Sequence, residues 1–78
     1  MDTDQIAQQA MSLRDNDAFQ RALDGIRTDA LDALIRADAT DTLTIHKHQA
    51  TVRVVDNLRA DLDGFIRMGQ AKTKPGLA

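Results

Sequence analysis

Two histidines in the run TIHKHQATVRVV (residues 44–55), His46 and His48, are the side chains best suited by type to hold a metal. Their spacing decides against it. Residues two apart on a helix are rotated by about 200°, so the two rings leave on nearly opposite faces, whereas helical His pairs that share a metal are four apart. His48 falls near the apolar stripe of its segment and reads as a partly buried core or interface residue, with an interface sensitive to pH as its functional version. No metal and no other cofactor is expected.

The inventory for covalent or acid–base chemistry is thin. There is no cysteine to act as nucleophile or thiolate ligand, no glycine-rich phosphate loop and no H-E-x-x-H pattern. Asp61 and Asp63 are two apart and do not share a helical face, and Asp24 and Asp32 lie more than two turns from each other. Carboxylates scattered in this way serve solubility on a polar face, and the chain is expected not to be an enzyme. Basic residues offer a second chemistry. Arg67, Lys72 and Lys74, with Arg53 further up the chain, are the candidate nucleic-acid contacts, because neutralising phosphate supplies most of the affinity for DNA. No aromatic platform for stacking bases accompanies them, since Phe19 and Phe65 are the only aromatic residues. The tail also reads as simply solvated.

The elements that position these groups follow from periodicity. Between Asp17 and Ala37 the apolar residues Phe19, Ala22, Leu23, Ile26, Ala30, Ala33, Leu34 and Ala37 recur at helical steps, with Asp15 or Asn16 placed to cap the start. The DATDT run, residues 38–42, breaks the pattern with side chains that bond their own backbone. A connection that short predicts antiparallel neighbours, and a helix-turn-helix would need a shorter turn between shorter helices. A second helix is predicted over about 43–68, with Ile45, Val52, Val55, Leu62 and Ile66 as its stripe and Gly69 as the residue after its end. TVRVV, read as a strand, would have nothing to pair with. A short N-terminal helix, about 4–13, has Ile6, Ala10 and Leu13 on one side and Thr3 as its cap; at that length it is expected to be helical only where it docks. Residues 69–78 read as a flexible basic tail. The fold class is all-α, a single small domain: an antiparallel helical hairpin with a short N-terminal helix, oligomeric or docked on a partner.

The last part of that expectation rests on surface. A chain of 78 residues buries only about 60% of the surface it exposes when unfolded, and this one has no disulfide to compensate. A helix in a hairpin needs one apolar stripe about 100° wide. The second helix instead presents an arc of about 180°, reaching round to Val54, Leu58 and Phe65, and the first carries Leu31 and Ile35 some 120–160° from its own stripe. Leu31, Ile35, Val54, Leu58 and Phe65 are therefore the expected protein interface. Arg59, inside the apolar arc, is expected to pair there with an aspartate of a partner helix such as Asp24 or Asp32. The N-terminal segment, another copy, or a different protein could cover the excess.

Charge is divided along the chain. Residues 1–41 hold nine Asp against four Arg, and residues 42–78 hold three Asp against six Lys and Arg, which favours pairing of the two halves within or between chains. No apolar run approaches the ~20 residues of a membrane span, and the acidic start MDTDQIAQQA is unlike a secretory leader. A cytoplasmic setting is the expectation.

Residues 17–67 resemble small helical-hairpin proteins encoded among the morphogenesis genes of tailed bacteriophages and phage-derived particles. The resemblance is carried by the F-x-x-A-L opening (Phe19, Ala22, Leu23), the D-A-T-D break, and V-V-D-N-L-R, Val54 to Arg59. It implies a non-enzymatic role in particle assembly, head–tail connection or DNA packaging, in the host cytoplasm or incorporated in the particle, with no catalytic residue to carry over. The partner would be a second copy or a larger phage-type assembly. Small terminase subunits, which also oligomerise through helical hairpins, suggest the alternative of a packaging or regulatory protein that touches DNA with its basic C-terminal half.

Overall fold

The computed structural model describes the backbone of residues 2–73 and the side chains of residues 2–70. Three helices account for almost all of it: α1 (Thr3–Arg14), α2 (Asp17–Arg36) and α3 (Thr42–Thr73), with no strand among the described residues. TVRVV is helical, as its lack of a pairing partner requires.

Each helix begins on a side chain that accepts from the first turn. The Gln5 N–H donates to Asp2 Oδ1 at 2.9 Å, the Phe19 N–H to Asn16 Oδ1 at 2.8 Å, and the Thr44 N–H to Asp41 Oδ1 at 3.2 Å. The cap of α1 is thus Asp2, not Thr3. Asp2 sits in extended backbone with its carboxylate at the electropositive helix start, while Thr3 is already the first helical residue. Between α2 and α3, Asp38 Oδ1 takes hydrogen bonds from both the N–H and the hydroxyl of Thr40, at 2.9 and 2.7 Å, which folds the break back on itself.

Gly69 does not end α3. The helix continues through it to Thr73, so residues 69–73 are not tail. The reason is a close approach: a Cβ at Gly69 would overlap the Cβ of Ala7, and Thr3 O lies 3.7 Å away. This glycine lets α1 reach the backbone of α3 instead of letting α3 turn. Lys74 and the rest of the expected tail lie outside the described residues.

Both shorter helices pack along α3, and α1 makes the most extensive contact although it is the shorter of the two. Ala10, Leu62 and Ile66 form the buried cluster there, with Met11 and Phe19 packed against it. Leu23, Ala30 and Val55 are the other large part of the core. The result is a rod of 58 × 25 × 19 Å with a radius of gyration of 17.1 Å, where a compact chain of this length would have about 11.5 Å. A rod two helices thick cannot enclose its apolar residues, and among the described residues no large side chain is fully buried.

Candidate protein interface

Two ion pairs fix the orientation of α2 on α3. Arg27 Nε donates to Asp56 Oδ1 at 2.9 Å, and Arg59 Nη2 donates to Asp24 Oδ1 at 2.5 Å and to Gln20 Oε1 at 3.3 Å. Asp56 beside it holds the Arg27 guanidinium above its ordinary range, through the hydrogen bond first and the charge second. Arg59 therefore meets the aspartate anticipated for a partner, Asp24, within its own chain.

These pairs define one flank of the rod. Leu31 stands one turn beyond Arg27 and shares that flank, with Ile35 a further turn along. Val54 and Leu58 each stand two residues from Asp56, about 200° round α3, and so occupy the opposite flank with Phe65. The five apolar residues expected to form one interface are thus divided between two surfaces. The sequence pattern places them on helices but carries no information about the handedness with which one helix lies on the other.

The flank opposite the ion pairs is the larger and collects residues from all three helices. Ile26 and Arg27 leave α2 on either side of the line through the buried Leu23 and Ala30, so Ile26 points away from the ion pairs and is 49% exposed. Ile6 and Thr3 of α1 share a surface hollow with Phe65 and Met68 of α3. Leu13, two turns along α1 from Ile6, is on the same side. Val54 is 64% exposed and Met68 57%. Leu13, Ile26 and Met68 were not among the residues expected at the interface. Ile26 even belongs to the stripe predicted to be core, and the whole face of α2 is rotated so that Leu23 and Ala30, not Ile26, meet α3.

The polar candidates do not assemble into a site. His46 is exposed and His48 half-buried on different sides of α3, and no cluster of three metal-ligating side chains exists among the described residues. Asp4 Oδ1 is shielded without a hydrogen-bond partner among the described residues, beside a shallow hollow formed with Ala7, Met11 and Ile66, and has no second acidic neighbour there. Arg67 is exposed on α3, Lys72 is in its last turn, and Lys74 is outside the described residues. Among the described residues no helix is long and apolar enough to cross a membrane. No family model, curated protein or solved structure matches the chain.

Proposed function

We propose that this chain is a non-enzymatic assembly protein that works through helix–helix contacts, as an antiparallel helical hairpin whose exposed apolar flank is covered by another helix. The observation that carries the reading is the set of exposed and half-buried apolar residues on one flank, Ile6, Leu13, Ile26, Val54, Leu58, Phe65 and Met68, of which Ile6, Phe65 and Met68 line one hollow. Wholly burying one such side chain is worth about 1.5–3 kcal/mol, which is large beside the stability that a thin small domain can supply alone. The hairpin is supported by the pairs Gln20–Arg59, Asp24–Arg59 and Arg27–Asp56, in which numbers rise along α2 as they fall along α3. The resemblance of residues 17–67 to phage morphogenesis proteins supplies the setting, a phage-type particle or packaging complex built in the host cytoplasm. In that setting Leu31 and Ile35 form a second, smaller contact on the other flank.

The test is the mass of the native assembly taken from cells that make the protein. A mass well above 8.6 kDa that disperses when Val54 and Phe65 are changed to Lys is the expected result. A helical monomer in that extract, indifferent to both substitutions, overturns the reading.

A further inference from the structure

On the larger flank, Lys47, Thr51, Val54, Leu58, Asp61 and Phe65 follow one another at steps of four and three along α3, and Met68 continues the series. This is the spacing of a helix that packs against another helix, knobs into holes. Two charges lie within the series. Neither Lys47 nor Asp61 makes an ion pair among the described residues.

We propose that the occupant of this flank is a second copy of the same chain, with the two α3 helices antiparallel and a two-fold axis between Val54 and Leu58; this rests on the assembly reading above and names its first partner. In this register Val54 of one copy meets Leu58 of the other, Thr51 meets Asp61, and the stem of Lys47 lies over Phe65 with its ammonium one turn from Asp61. The charges select this direction. Parallel, in-register pairing would set Lys47 against Lys47 and Asp61 against Asp61 in a partly desolvated seam, whereas the antiparallel pair makes the attraction twice by symmetry.

The uneven cover of α3 fits the same arrangement. The C-terminal half of the seam is flanked by Ile6 and Leu13 of α1 and the N-terminal half by Ile26 of α2, yet Leu43 at the start of α3 stays 81% exposed. Antiparallel pairing brings Leu43 of one copy level with Met68 and Ile6 of the other, so each copy covers what its partner leaves open. Leu31 and Ile35 stay outside, one patch on each copy, and the pair is a bivalent unit for further assembly.

The purified 78-residue chain tests this by sedimentation and by disulfide trapping, since it has no cysteine of its own. The wild-type chain is expected as a dimer at micromolar concentration. Lys47→Asp and Asp61→Lys, both at exposed positions, should each weaken it about tenfold or more with helicity unchanged by circular dichroism, and the double variant should recover to within about threefold. A mixture of Thr51→Cys and Asp61→Cys chains should oxidise mainly to the 51–61 heterodimer. Homodimeric disulfides in preference to that heterodimer, or a double variant as weak as the singles, overturn the register. A purified chain that stays monomeric while its native assembly is large overturns self-pairing and leaves the assembly reading intact.

Discussion

Along its length α3 meets two different kinds of neighbour. Against its C-terminal half, α1 presents Ala7 and Ala10, and α3 answers with Gly69, Leu62 and Ile66, so that two backbones come close over small and apolar side chains. Against its N-terminal half, α2 presents Leu23 and Ala30 but also Gln20, Asp24 and Arg27, whose long side chains span the gap to Arg59 and Asp56. The 12-residue helix thereby makes a more extensive contact than the 20-residue one. Small residues allow close approach and dispersion contacts across the whole face, while exposed ion pairs such as these contribute at most modestly. The segment least able to be a helix in isolation is the one most firmly docked.

Two leucines test that contrast with the chemistry held constant. Leu62 on the α1 side and Leu23 on the α2 side are equally buried, at 7% and 6% exposure. Leu→Ala changes in cores cost about 2–5 kcal/mol, more where the surroundings cannot collapse into the space. Leu62→Ala should fall at the upper end of that range and abolish a cooperative thermal transition, and Leu23→Ala at the lower end. Equal losses in denaturant melts would show that the two contacts are equivalent after all.

The glycines sharpen the comparison by sign. Gly69→Ala gains about 1 kcal/mol of helix propensity but forces a Cβ into Ala7, an overpacking cost of about 1–3 kcal/mol, so the net change should be destabilising. Its signature is faster amide exchange across α1. Gly25→Ala meets nothing within 4 Å and should stabilise by about 0.5–1 kcal/mol. A stabilising Gly69→Ala would mean that α1 does not sit against α3 as described.

Asn16 joins the two regions, since it caps α2 two residues after α1 ends. Asn16→Ala should lower stability by about 1 kcal/mol, read from the thermal midpoint, and Asn16→Asp should preserve it. The smallest expected effect is on the acid side. Hydrogen bonds from Thr40 to Asp38 and from Thr44 to Asp41, side chain before backbone in each case, hold both carboxyls below their ordinary range, and the Arg14 hydrogen bond does the same for Asp15. A folded-state pKa below the unfolded one stabilises at pH above the unfolded value of about 3.9 and is lost as pH falls through the lowered one. Helicity at 222 nm should therefore decline only below about pH 4. Asp41→Asn, which caps without titrating, should make that decline shallower; an unchanged acid limb would remove Asp41 as a contributor.

Much of the architecture was readable from local pattern. Steps of three and four placed Leu23, Ala30, Val55, Leu62 and Ile66 on helix faces that turn out buried, and the DATDT break is bonded within itself in the way its side chains suggest. Excess apolar surface was readable too, because it is a matter of arc width on one helix at a time. Gly69 was misread because a glycine near a helical run's end has the same local signature whether it turns the chain or receives another helix. Which of the two holds depends on Ala7, 62 positions earlier.

Residue order by itself determined α2 and α3, the Asn16 cap that opens α2, the self-bonded DATDT break, and the presence of more apolar surface than two stripes can hide. Tertiary structure alone decided which exposed residues stand together. Periodicity gives an angle about one helix's own axis, and only the docking of α1 and α2 on α3 relates one axis to another. That docking turned Ile26 outward, joined Ile6 to Phe65 and Met68, used Arg59 within the chain, and sent Leu31 and Ile35 to the opposite flank from Val54 and Leu58.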